Sequence, residues 1–283
     1  MFAKIVSAAV NGIDAYVVNV EVDISGGLPM YSTVGLPDTA VRESKDRVIA
    51  ALRNSGFDPP SRKIIVNLAP ADVKKEGAAF DLPIAVGILA AKEILKHGAA
   101  GNCCFVGELA LNGALRPVKG ALSIALSLRK SRIRKLILPS INAKEAAVVK
   151  DIEIYPAENL AQVAGFLNGE RFIKRHEAFG EDIPPVQAHD TLDFSEVKGQ
   201  AYAKRALEVA AAGGHNVVMI GAPGSGKTML AKRLPSILPL MSFEESIETT
   251  KIHSVAGIVP PGTGLLANKP FRSPHHTISD TAL

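Results

Sequence analysis

Apolar positions recur with two different periods along the first 167 residues, and the alternation between those periods predicts an α/β chain. Residues 15–22 alternate tyrosine and aliphatic side chains in the manner of a strand, and Gly26-Gly27-Leu28-Pro29 reads as a turn. Asp38 is placed to cap a helix running to about Arg53, with Ala40, Val41, Val48, Ala51 and Leu52 on one face and Asn54-Ser55-Gly56 as its stop. Residues 64–68 form a short apolar strand, and residues 79–95 an apolar helix closed by His97-Gly98. A strand over 104–108 turns back at Asn112-Gly113, a hairpin signal because both residues tolerate positive φ. Then follow a helix over 119–130, a strand over 136–139, a short helix over 143–150, and a strand end plus helix from Tyr155 to Leu167.

Residues 168–192 lose this periodicity. They carry Gly169, Gly180, Pro184-Pro185 and many charges, and read as a linker between a domain at 1–167 and a second at 193–283. The second opens with a helix over 201–212. The apolar run Asn216-Val217-Val218-Met219-Ile220 reads as a buried parallel strand, and a helix over 226–237 carries Met229, Leu230, Leu234 and Ile237 at helical spacing.

Composition narrows the classes. The 283 residues are 47% hydrophobic and 21% charged, ordinary for a globular protein. No apolar run is long enough to span a bilayer, and the first residues lack the apolar core and cleavage site of a secretion signal. Cys103 and Cys104 are adjacent, which excludes a disulfide framework and suits packing as small hydrophobes. These features fit a cytoplasmic protein with no membrane partner. The net charge of +4 permits a nucleic-acid partner without requiring one. Five cations within residues 128–135 read either as a solvated helix end or as a contact for a phosphate backbone.

The sharpest chemistry lies at residues 221–228, Gly-Ala-Pro-Gly-Ser-Gly-Lys-Thr, which fit the phosphate-binding P-loop pattern between an expected strand and an expected helix. Gly221, Gly224 and Gly226 let the backbone curl so that N–H groups of a loop including Ala222, Pro223 and Ser225 point at phosphate oxygens. Lys227 is placed to reach the β- and γ-phosphates of ATP as the catalytic cation, Thr228 to ligate Mg²⁺, and Met229 to follow on the helix. No apolar strand ending in Asp-Glu follows Thr228, and Asp280 is the sole acidic residue after Glu248, so the chain reads as cut short and unable to complete hydrolysis.

Asp193-Phe194-Ser195-Glu196-Val197-Lys198-Gly199-Gln200, the helix after it and the P-loop together resemble the opening of an AAA+ ATPase module. The run Gly-Ala-Pro-Gly-Ser-Gly-Lys-Thr-Met-Leu-Ala and the tail from Pro270 to Ser279 narrow the resemblance to its magnesium-chelatase-like branch. With the N-terminal segment, the whole is similar to the ComM/YifB family. The resemblance implies a Lon-protease-like (ribosomal S5 domain 2-like) α/β domain followed by the start of a P-loop AAA+ αβα domain. It implies Val197 and Gln200 beside the adenine, ATP and Mg²⁺ as cofactors, DNA as a partner, a homo-hexamer, and branch migration in bacterial competence. In the Lon-like segment 67–83 the nucleophile position holds Ala79, and the dyad lysine falls at Leu122, so the resemblance implies a scaffold with no peptidase activity. Two other readings stay open. One is a metal-insertion subunit like that of magnesium chelatase, against which residues 1–165 count. The other is a regulator that senses nucleotide without turnover. His275-His276 beside Arg272 read as an interface or as hairpin packing, His215 and His253 as structural, and Lys74-Lys75-Glu76 as a surface turn.

Overall fold

The computed structural model describes residues 1–177 and 192–274 and divides into two units. The first comprises Met1–Glu181 with Thr249–Gly264, the second Asp182–Glu248 with Leu265–Leu283.

The first unit is a seven-stranded mixed sheet with helices on both faces, an α/β fold as the alternating periods require. Strands β1 (Phe2–Asn11) and β2 (Asp14–Ser25) form an antiparallel hairpin, in register from Phe2 opposite Asp23 to Asn11 opposite Asp14. Strands β3 (Met30–Val34), β4 (Lys63–Ala69), β5 (Cys103–Phe105), β8 (Lys135–Pro139) and β9 (Glu153–Ala157) complete the order β3-β4-β2-β1-β5-β8-β9. The pairs β3–β4, β1–β5, β5–β8 and β8–β9 are parallel. A small hairpin, β6 (Glu108–Leu109) with β7 (Leu115–Arg116), turns at Asn112-Gly113 as read from sequence.

Helix α1 (Thr39–Asn54) starts where its cap dictates: the Asp38 carboxylate accepts the Val41 N–H at 2.7 Å, and Val41, Val48, Ala51 and Leu52 are buried. Helix α2 (Asp81–Ala91) is buried nearly all round and lies against β1 and β2. Gly87 sets that approach, since a Cβ there would stand 2.6 Å from Val22 Cγ2. The expected helix over 79–95 is shorter at both ends. A 3-10 turn at Ala78–Phe80 precedes it, and Glu93 at φ +60 breaks it. Helix α3 (Ala121–Arg129) and the single turn α4 (Ala143–Ala146) cover the other face, while α5 (Leu160–Leu167) joins α1 and α2. Strand β8 shows the two-sided burial: Ile137 belongs to the α1–α2–α5 core, and Leu136 and Leu138, one position either side, are buried opposite. Beyond α5 the chain stays on this unit as far as His176, whose N–H reaches the Ile154 carbonyl at 2.8 Å, with Ile173 buried in the core. The remainder of the expected linker, residues 178–191, lies outside the described residues.

The second unit holds a 3-10 turn at Phe194–Glu196, α6 (Ala201–Gly213), α7 (Lys227–Arg233), a 3-10 turn at Leu234–Ile237 and the first residues of α8 (Phe243–Ala256). Phe194, Val197, Leu207 and Leu230 make its small core, with Met219, Leu234 and Ile237 against it. Residues 216–220 correct the expected buried strand: they are extended without strand pairing, with Val218 and Ile220 84% and 94% exposed. A parallel strand needs a hydrogen-bonded neighbour, and none lies among the described residues of this unit.

Candidate nucleotide site

The loop at 221–226 takes the shape its glycines permit. Gly224 and Gly226 sit at φ +78 and +86, where a side chain would be strained, and the Ser225 N–H closes a turn on the Ala222 carbonyl at 3.2 Å. Gly221 is held close too, since a Cβ there would meet Ser225 Oγ at 3.0 Å. Lys227, the first residue of α7, folds back over the loop. Its ammonium donates to the carbonyls of Gly221 and Ala222, each at 2.8 Å, and approaches Ser225 Oγ at 3.3 Å. All three acceptors are neutral, so its charge is uncompensated by these partners and the lysine fits an anionic ligand.

Gln200, at φ +55, aims Nε2 toward the Ser225 carbonyl at 3.5 Å. Gln200, Gly221, Ser225 and Lys227 thus line one cavity of about 350 Å³, whose apolar wall includes Ala203, Val217 and Leu230. Val197 is not on that wall. It is 2% exposed and sits beneath it, in the core with Leu207 and Leu230. Ala222, Pro223, Thr228 and Met229 are exposed along the loop and the start of α7. Behind the loop, Arg233 anchors α7 to the 194–196 turn through Glu196, with Nη2 at 2.7 Å and Nε at 3.2 Å from one oxygen. The Phe194 N–H donates to Ser236 Oγ at 3.0 Å. Asp193 accepts the Ser195 N–H, and bonds to Ser195 hold its carboxyl below the usual range. Sequence reading missed this anchor, because Glu196 and Arg233 are too far apart for any helical spacing to signal them. Among the described residues no group of three His, Cys, Asp or Glu is placed to hold a metal.

Other positions singled out in the sequence settle into structural roles. Ala79 lies in the 3-10 turn, its carbonyl accepting the Gly107 N–H at 2.9 Å. Leu122 is fully buried in α3, and its N–H donates to Glu145 Oε1 at 2.9 Å. The surface turn expected at Lys74-Lys75-Glu76 needs correcting at its centre. Lys74 and Glu76 pair at the surface, whereas Lys75 is fully buried, donating to the carbonyls of Pro70 and Val73. Burial pushes its ammonium pKa down. In the basic run, Arg129 pairs with Asp151 at 2.8 Å, Arg134 bonds the Ser131 carbonyl, and Lys135 stands 6.0 Å from the Tyr155 ring. The His215 N–H caps the end of α6 on the Ala210 carbonyl. His275 and His276 lie outside the described residues.

Two family models match. Residues 20–142 match "Subunit ChlI of Mg-chelatase", and residues 193–283 match "Magnesium chelatase, subunit ChlI". The chain is 45% identical over 284 aligned residues to the "Competence protein ComM" of Haemophilus influenzae, covering 99% of this chain and 55% of that protein. It is likewise 45% identical to the "Uncharacterized protein YifB" of Salmonella typhimurium, covering 96% of this chain and 53% of the relative. A weaker likeness, 26% over 133 residues, relates 45% of this chain to 23% of "Lon protease 2" of Bacillus subtilis. The chain spans about half the length of the ComM and YifB relatives it matches.

Proposed function

This chain belongs to the ComM/YifB family of magnesium-chelatase-like AAA+ proteins, and on that premise we propose that it is the nucleotide-binding part of an ATP-driven, DNA-remodelling motor. The observation that carries the reading is the convergence of Gln200, Gly221, Ser225 and Lys227 on one cavity. In this proposal Lys227 leaves the Gly221 and Ala222 carbonyls and turns to the β- and γ-phosphates, trading neutral acceptors for anionic ones. The loop N–H groups hold the phosphates, Thr228 offers its hydroxyl to Mg²⁺, and Gln200 borders the adenine, while Val197 does not touch it and packs in the core with Leu207 and Leu230 of that wall. When bound, Mg²⁺ neutralises charge on the phosphate oxygens.

The N-terminal unit serves as a scaffold. With alanine at position 79 and leucine at position 122, it carries neither nucleophile nor base at those positions. The whole protein works in the cytoplasm as a homo-hexamer on DNA, in competence and recombination. No helix among the described residues is long and apolar enough to cross a membrane. In the working protein a paired strand covers Val218 and Ile220, which are exposed among the described residues.

A second reading, ATP-driven metal insertion, draws support from the wording of both family matches. Because one of them covers residues 20–142, the N-terminal unit does not by itself count against it. Forked DNA titrated against the full-length protein separates the two. Tight, salt-dependent binding that raises ATP turnover supports the motor, and turnover indifferent to DNA but raised by a porphyrin-bearing partner supports metal insertion.

A further inference from the structure

The first unit is not made of the N-terminal residues alone. The chain leaves the second unit after Glu248, contributes Thr249–Gly264 to the first, and returns. We infer that Thr249–Gly264 is a docking strap whose seat on the N-terminal fold is built by Asp14, Gly120 and Glu145, so that this fold recognises a segment encoded after the P-loop.

The seat is a meeting of helix ends. The last turn of α8 leaves carbonyls without intrahelical partners, and the first turn of α3 leaves N–H groups. The Ser254 carbonyl accepts the Gly120 N–H at 3.2 Å, immediately before α3 begins, in addition to the Gly257 N–H at 3.0 Å that closes the end of α8. The partial negative charge of one terminus thus meets the partial positive charge of the other. Glu145 ties both: Oε1 accepts the Leu122 N–H in the first turn of α3 and also the Ser254 hydroxyl. Glu145 and Ser254 are 6% and 4% exposed, so the carboxylate is sealed between the two helices. One turn earlier on α8, Lys251 Nζ lies 2.7 Å from Asp14 Oδ1 at the β1–β2 hairpin, and this contact lowers the Asp14 pKa. Past the helix, Gly257 at φ +76 lets the strap cross Lys119, whose Cε would stand 2.7 Å from a Cβ there. None of these groups lines the nucleotide cavity, so the failure of either proposal leaves the other standing.

The test is residue-resolved hydrogen exchange on the intact chain. Ser254→Tyr places a large ring where Glu145 now receives a hydroxyl and belongs to no strand or helix of the N-terminal sequence. The Gly120 amide should exchange at least about tenfold faster, while Val48 in α1 holds its protection, because only the strap has lifted. Lys251→Glu should give a smaller rise, reversed by adding Asp14→Lys. Unchanged Gly120 protection in Ser254→Tyr would overturn the assignment. So would a rise shared equally by Val48 in Ser254→Tyr if Lys251→Glu then leaves Gly120 unchanged.

Discussion

Asp81 shows how much a single buried charge constrains the first unit. It is fully buried at the start of α2, where both oxygens meet Arg47, at 2.7 Å from Nε and 3.0 Å from Nη2, and one also accepts the Leu109 N–H. One carboxylate therefore joins α1, α2 and the β6–β7 hairpin. Burial raises its pKa to about 6, with Arg47 and the Leu109 N–H pulling it back. Without Arg47, desolvation is less opposed and the folded-state pKa climbs further above the unfolded value. A carboxyl raised in this way favours the fold below its unfolded pKa and loses that contribution as pH rises through its folded pKa. Arg47→Ala should therefore cost about 3–5 kcal/mol at pH 8, as expected for a buried charge left alone, and less at pH 5. Urea unfolding followed through the β2 amides at both pH values measures it, and an equal cost at the two would contradict the account. Neither this pair nor the burial of Lys75 was legible in the sequence. Arg47 and Asp81 are 34 residues apart, and nothing local distinguishes Lys75 from its exposed neighbour Lys74.

Elements with a local cause were legible. Helix α1 was readable to within a residue because Asp38 caps it and its apolar positions share one face. The cap does more than the sequence suggested, since its second oxygen accepts the Gly77 N–H at 3.1 Å and ties the loop before α2 to α1. Asp38→Ala should accordingly cost about 1–2 kcal/mol, the upper part of the range for a lost N-cap. A change in thermal midpoint corresponding to less than a few tenths would mean that water replaces both bonds. Strands β1 and β3 escaped reading for opposite reasons. In β1, Ser7, Ala8 and Ala9 are small residues buried in succession, which hides the period of two, and β3 is a half-exposed edge with no apolar alternation. Residues 216–220 read as a strand and have the composition of one, but pairing is not a local property. The turn at 221–226 was legible in its glycines, because they lie close together in sequence and Gly224 and Gly226 take the positive φ that favours glycine. Its brace, from Arg233 to Glu196, was not.

At the scale of the molecule, the chain visits the first unit twice, and a reading in sequence order places everything after residue 192 in a second domain. Family membership sets the expectation for activity, and two consequences are open to measurement. The first unit should show no serine-dependent labelling by a fluorophosphonate probe on the intact chain, because alanine at 79 offers no nucleophile. Specific labelling would place a nucleophile elsewhere. The described lining of the candidate nucleotide cavity contains no carboxylate, so on the proposed reading the 283-residue chain should hold MgATP without steady turnover. Phosphate release abolished by Lys227→Ala would mean that a residue outside that lining supplies one.

The central claim is that Lys227 and its loop bind nucleotide, and titration of MgATP into the chain and its Lys227→Ala variant tests it most directly. The ammonium is now held by the Gly221 and Ala222 carbonyls, and the proposal is that it turns to phosphate when nucleotide binds. Losing a charge-assisted contact of this kind costs about 1.5–3 kcal/mol, so the variant should bind roughly 10- to 150-fold more weakly. Equal affinity in the two proteins, with the loop still folded, would contradict it.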